Sequence, residues 1–212
     1  VILPAFCTSG RPLVPQGVVV HYFSGRNVDP EREFELDVCR NLFLDLNRPR
    51  SARQHYMQGP KWPEARMYAS AHVLIGRAGE VWKLVEFDLA SYHAGKSIMN
   101  GRPNCNAFAL GVELVGSITS KFTDRQYAAL AALLTDLMRR FGFAREWIAG
   151  HDAVRWAAIQ AGESAKPKYD PSGRKDGRGD NFSWERLWRL LDDEEARSNS
   201  SDVRPAHGAS GG

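Results

Sequence analysis

Three side chains that can bind a divalent metal stand in contexts able to bring them together. His21 ends the run Val18-Val19-Val20-His21-Tyr22. His151 follows the apolar Trp147-Ile148-Ala149-Gly150, and Asp170 lies in Lys168-Tyr169-Asp170-Pro171. Two imidazoles and a carboxylate are a donor set that zinc accepts. Three protein ligands leave a fourth tetrahedral position for the oxygen a hydrolysis needs. Lys168, two residues before Asp170, could neutralise an oxyanion forming near such a metal. Glu113 is the single carboxylate in the apolar stretch Phe108 to Gly116, and a buried Glu is expensive unless it is paired or functional. Ordinary readings compete: a hydrogen-bonded core histidine at His21, and a solvent-facing side chain at Glu113.

The elements that must position these residues follow from periodicity and punctuation. Val1 to Gln16, with three prolines, reads as an irregular arm. Gly17 to Tyr22 is a strand buried on both faces, because consecutive valines pack well on a pleated surface. Asp29 and Pro30 are expected to start a helix with Phe34, Leu36, Val38, Leu42, Phe43 and Leu46 on its apolar side. Asn47 to Glu64 is expected to be a long surface loop. Tyr68 to Ile75 and Val81 to Val85 read as strands joined by a tight turn at Gly79. Tyr92 to Asn106 is a polar loop, and Phe108 to Gly116 another strand. Thr123-Asp124-Arg125-Gln126 is a capping box, with Phe122 and Tyr127 at hydrophobic-staple positions. Leu130, Leu133, Leu134, Leu137, Met138 and Phe141 form a core stripe that Gly142 ends. Ser183 or Asn181 caps a last helix carrying Trp184, Leu187, Trp188 and Leu191. Beyond Asp192 the chain turns acidic and then Ser/Asn/Gly-rich, and Ser198 to Gly212 is expected to be disordered. The expected architecture is α/β, a mixed central sheet flanked by helices, in one domain over 17–192, with an arm at 1–16 and a tail at 193–212.

The 212 residues, 43% hydrophobic and 25% charged, suit one globular domain. A net charge of +3 without any basic tract gives no footprint for nucleic acid, and would suit approach to an anionic polymer such as cell wall. Cys7, Cys39 and Cys105 are an odd number without metal-site spacing, and read as small buried hydrophobes. No apolar run approaches the ~20 residues that span a bilayer. The first residues carry no basic n-region or long h-region, so cytoplasmic synthesis is the expectation, with action there or on the wall after release as an endolysin. Nothing demands more than a monomer.

Taken together, VVVHY, SAHVLIGRAGEVWKLVEFDLASYHAGKS, GRPNCNAFALGVELVG and GHDAV…KYDP…FSW resemble the zinc-dependent N-acetylmuramoyl-L-alanine amidases of type 2. That family includes muropeptide-recycling amidases, phage lysozyme-type amidases and animal peptidoglycan recognition proteins. The resemblance runs from about Gly17 to Trp184 and is densest towards the AmpD-like branch. It implies one zinc ion on His21, His151 and Asp170, with Glu113 as proton acceptor and Lys168 stabilising the oxyanion. The implied reaction cleaves the amide between the lactyl group of N-acetylmuramic acid and L-alanine, in peptidoglycan or muropeptides. Two departures stand out: an extended connection from Arg155 to Pro167, and Ser172 after Pro171 where the family has glycine. They leave Asp176 and Asp180 as alternatives to Asp170. Outside the metal set, His93, Asn106, Arg102 and Tyr92 are candidates for contacting substrate, and His72 is either a core residue or a further contact. The competing function is a peptidoglycan-binding module of the same fold that does not cut.

Overall fold

Val18, Val19 and Val20 have no exposed surface, and they begin β1 (Val18–Phe23), an inner strand of the main sheet. The computed structural model describes residues 10–24, 31–46, 48–52, 64–65 and 67–201. After β1 come β2 (Val73–Ile75), β3 (Val81–Lys83), β4 (Ile98–Met99), β5 (Arg102–Pro103), β6 (Leu110–Val115) and β7 (Ile148–Gly150). The helices are α1 (Leu36–Leu46), α2 (Asp124–Phe141), α3 (His151–Gln160) and α4 (Trp184–Ser201). The main sheet has the order β3-β2-β6-β1-β7. Its β2, β6, β1 and β7 run parallel, and β3 is antiparallel to β2. This is the mixed, helix-flanked sheet expected from the sequence.

Strand alternation divides the core in two. Val18 and Val20, Leu110, Val112 and Leu114, and Val73 and Ile75 face α2 and α4, against Leu130, Leu134, Leu137, Leu187 and Leu191. The other face is covered in two patches. Val19 packs with Phe108 and with Val154 of α3, while Leu74 and Val115 pack with Cys39, Leu42 and Phe43 of α1. His21 has the parity of Val19, and its partner in register on β6 is Glu113. Both therefore lie on this second face, between the α1 and α3 patches.

Local signals shape α2 as read. Thr123 Oγ1 accepts from Gln126 N at 3.1 Å and Gln126 Oε1 accepts from Thr123 N at 3.1 Å, so the capping box closes in both directions. Phe122 and Tyr127 both pack on Phe182. Gly142 ends the helix at φ 71°, left-handed backbone that a side chain would disfavour. Ser183 is the cap of α4, accepting from Arg186 N at 3.2 Å.

Several boundaries differ from the expectation. Of the strand read at Tyr68 to Ile75, only Val73–Ile75 is in the sheet. Tyr68 itself sits at φ 47°, outside the extended range. The start read at Asp29 and Pro30, the greater part of the 47–64 loop, and Cys7 lie outside the described residues; α1 itself begins at Leu36. The long connection noted from Arg155 to Pro167 begins as helix, as far as Gln160. Its Ala-rich sequence is a good helix former, and Val154 and Ala158, four residues apart, bury one side of the helix. The polar loop contains a hairpin, β4 with β5, turning through Asn100 and Gly101, both at positive φ. The end of the arm is packed: Leu13 is buried, Leu13 N donates to Asp88 O at 2.7 Å, and Pro12 bridges Leu89. α4 runs through Ser201, past the boundary read at 192. Arg145 pairs with both Asp192 and Glu195, tying this half of the helix down. Residues 202–212 lie outside the described residues. No helix among the described residues is long and apolar enough to cross a membrane.

Candidate metal centre

β1 supplies His21, the first residue of α3 is His151, and Asp170 lies on the loop that returns from α3. Asp170 Oδ2 is 3.2 Å from His21 Nδ1 and 3.0 Å from His151 Nδ1. Among the described residues these three form the group able to hold a metal ion. Asp176 is engaged locally by Arg174 and by Arg178 N, and neither it nor Asp180 joins the group.

A latch places Asp170. Asp152 N donates to Asp170 O at 2.7 Å. The Asp152 carboxylate accepts from Ala153 N, from Ser172 N at 2.9 Å, and from the Ser172 hydroxyl. Asp152 and Ser172 are fully buried. The serine noted as a departure thus fastens the loop to the first turn of α3. Sequence reasoning missed both residues. The only signal was Asp152 standing next to His151, and nothing in that spacing names a partner twenty residues on.

The donor chemistry fits a cation. His151 Nε2 lies 3.2 Å from Ala94 O, and a carbonyl only accepts, so that nitrogen carries the hydrogen. A neutral imidazole has one ring N–H, which leaves His151 Nδ1 as a bare lone pair facing a carboxylate oxygen. Two such atoms attract each other only through a proton or a metal. Protonation is opposed at His21, where burial and then the neighbouring His151 bring the pKa down to about 4 despite the pull of Asp170. Burial would raise the Asp170 carboxyl, but the charge and hydrogen bond that a proton on His151 or His21 would bring outweigh it and hold the group well below the usual range.

Glu113 lies in the floor of the same cleft, 7% exposed, and its Oε2 has no hydrogen-bond partner. Burial first, then the charge of Asp170, raise its pKa well above the ordinary carboxyl value, against the pull of Lys168. The solvent-facing alternative therefore does not hold. The cleft has a volume of about 400 Å³, and its lining includes Lys168 and Tyr169, Tyr92 and His93, and Phe23 and Phe43. Phe23 and Phe43 stack with centroids 4.2 Å apart, an apolar wall that the sequence reading did not assign to the site.

The remaining candidates separate. Tyr92 lines the cleft and packs edge-on to Tyr68. His93 also lines it, yet both its ring nitrogens are engaged inside the protein, with His21 Nε2 at 3.1 Å and Ala109 O at 3.0 Å. The direct substrate hydrogen bond expected of it has no free ring nitrogen. Asn106 orders the loop instead of meeting the cleft: its Oδ1 accepts from His93 N and Ala94 N at 3.1 and 2.8 Å. Arg102 lies on the β4–β5 hairpin, bonded to Gln16 and stacked on Phe108, away from the metal group. His72 is completely buried. Its Nε2 donates to Leu89 O at 2.9 Å and its Nδ1 accepts from Gly111 N at 2.8 Å, so it lies in the core and does not line the cleft.

With the geometry in hand, known proteins offer a comparison. A family model described as N-acetylmuramoyl-L-alanine amidase matches residues 10–173. The chain is 35% identical over 127 residues to the 1,6-anhydro-N-acetylmuramyl-L-alanine amidase AmpD of Citrobacter freundii, covering 60% of this chain and 59% of that protein. It is 38% identical over 122 residues to the AmpD of Haemophilus influenzae, covering 57% and 58%. The matched part thus spans less than two thirds of these relatives. The crystal structure of a selenomethionine derivative of AmpD superimposes with a TM-score of 0.60 at 29% identity, over 90% of this chain and 99% of that one.

Proposed function

This chain belongs to the N-acetylmuramoyl-L-alanine amidase family, and from that premise we propose that it is a zinc-dependent amidase. Its substrate on this reading is the amide joining the lactyl group of N-acetylmuramic acid to L-alanine, in soluble muropeptides. The observation that carries the reading is the convergence of His21, His151 and Asp170 beside an unpartnered Glu113 on the floor of one cleft. The curated relatives are named for the 1,6-anhydro sugar, which favours a soluble fragment over the intact wall.

His21, His151 and Asp170 would hold the ion, as a His/His/carboxylate set suits zinc. When bound, zinc polarises a carbonyl and makes water more acidic. Glu113 Oε2, raised in pKa and free of any other bond, takes the proton of the attacking water and delivers it to the alanine nitrogen as the C–N bond breaks. The Lys168 ammonium faces the charge that develops on the carbonyl oxygen. Tyr92, Phe23 and Phe43 offer apolar surface for the remainder of the ligand. The products are a sugar with a free lactyl carboxylate and a peptide with a free L-alanine amine.

The test is mass spectrometry of products from isolated anhydro-muropeptides and from intact sacculi, with zinc, with chelator, and with zinc restored. Release of peptides with free N-terminal L-alanine, abolished by chelator and regained with zinc, is the expected result. Retention of muropeptide without release by the zinc-replete protein would make it a binding module.

A further inference from the structure

We propose that His93 is a positioning residue for the metal ligand His21: it dictates which ring nitrogen of His21 carries the hydrogen, and so keeps Nδ1 available to the metal. The inference rests on the metal reading of the site for its consequence, though the proton placement itself can be read without any metal.

One group beside His93 cannot change its role. Ala109 O lies 3.0 Å from His93 Nε2, and a carbonyl oxygen has no hydrogen to give, so His93 Nε2 is the donor. In the neutral ring, Nδ1 of His93 is then bare. That nitrogen is 3.1 Å from His21 Nε2, where two bare nitrogens would repel, so His21 supplies the hydrogen from Nε2. With its one N–H used there, neutral His21 presents a lone pair at Nδ1, the atom 3.2 Å from Asp170 Oδ2. His151 arrives at the same state more directly, through Ala94 O. One ligand thus takes its orientation from a backbone carbonyl, and the other takes it through an intervening imidazole.

The surroundings hold His93 to this task. Asn106 Oδ1 accepts from the backbone N–H of both His93 and Ala94. The ring lies against Gly111 of β6, where an added Cβ would come 2.5 Å from His93 Cγ, so only glycine admits the imidazole there. Gly111 is fixed in turn by His72, which accepts from its N–H at 2.8 Å and donates its own backbone N–H to its carbonyl at 2.9 Å. The buried histidine that the cleft does not use therefore supports the floor on which His93 rests. Partners of metal-bound histidines of this kind typically contribute 10–100-fold to metal affinity.

Nitrogen NMR of the metal-free protein reads the hydrogen directly. The wild type should show His21 protonated at Nε2, with a coupling across the bond to His93 Nδ1. A His21 protonated at Nδ1 overturns the proposal, whether or not zinc binds. In a folded His93→Phe protein, which keeps a ring against Gly111 but offers no acceptor, chelator competition should give a zinc Kd about 10–100-fold weaker. His93→Gln, whose amide oxygen can accept from His21, should recover part of the loss. Wild-type zinc affinity in His93→Phe, or equal losses in both variants, would likewise overturn it. Failure of the wild type to bind zinc would strike the metal reading and leave the proton placement standing on its own NMR result.

Discussion

Replacing Glu113 by glutamine keeps shape and volume while removing the group proposed to take the proton, so it separates catalysis from architecture. General acid–base assistance is worth about 10²–10⁴ in rate, or about 3–5 kcal/mol of barrier. Turnover by Glu113→Gln should fall by that amount with zinc content unchanged, since Glu113 is not among the three converging ligand groups. Stability should move the other way. The folded carboxyl has a pKa well above its ordinary 4.5, so below 4.5 it is protonated in both states and has no effect. As pH rises above 4.5 the unfolded chain ionises more readily, and the wild type loses stability that the amide variant keeps. The carboxylate oxygen Oε2 is buried without a partner, a situation costing about 1–3 kcal/mol. Urea melts of the metal-free proteins should therefore show Glu113→Gln more stable by about that much at pH 7, with the gap closing near pH 4. Turnover within about threefold of wild type, against the 10²-fold minimum expected of a lost base, would refute the assignment. An unchanged gap between pH 4 and 7 would show that the buried charge is not the cause of the stability difference.

Further perturbations test the rest of the construction. Asp170→Ala removes a proposed direct ligand, so zinc affinity measured by chelator competition should fall by more than the ~10–100-fold typical of an outer partner; full metal content after dialysis would move the ligand elsewhere. Ser172→Ala takes one donor from buried Asp152 and should cost about 1–2 kcal/mol in a denaturant melt, together with a smaller loss of zinc affinity. Thr123→Ala opens a capping box that does not line the cleft; it should cost about 0.5–2 kcal/mol, lowering Tm by a few degrees with turnover unchanged. His72 has its pKa brought down from 6.5 to about 4 by burial, only partly opposed by Leu89 O. The unfolded chain therefore binds its proton first, and stability should fall as pH drops from about 6.5 towards about 4. The full effect is on the order of 3 kcal/mol, and pH-dependent melts should flatten over that range in His72→Gln.

Much of this molecule could be read from short stretches of chain, because the forces involved act over a few residues. The valine run of β1 and the box from Thr123 to Gln126 needed no distant partner. The same holds for the stripe ended by Gly142 and the residue types of a candidate metal site at His21, His151 and Asp170. Alternation even placed His21 and Glu113 each on one face of its own strand. That the two face each other was decided by the β1–β6 register, a pairing between segments about ninety residues apart. Tertiary structure also settled roles that composition leaves open. His72 is core and not cleft because Leu89 O and Gly111 N take its two ring nitrogens. Asp170, and not Asp176 or Asp180, meets the imidazoles because Asp152 and Ser172 fasten its loop to α3. A residue's donor chemistry belongs to its type and can be read in one dimension; which of its atoms is left free depends on neighbours that only the folded chain supplies.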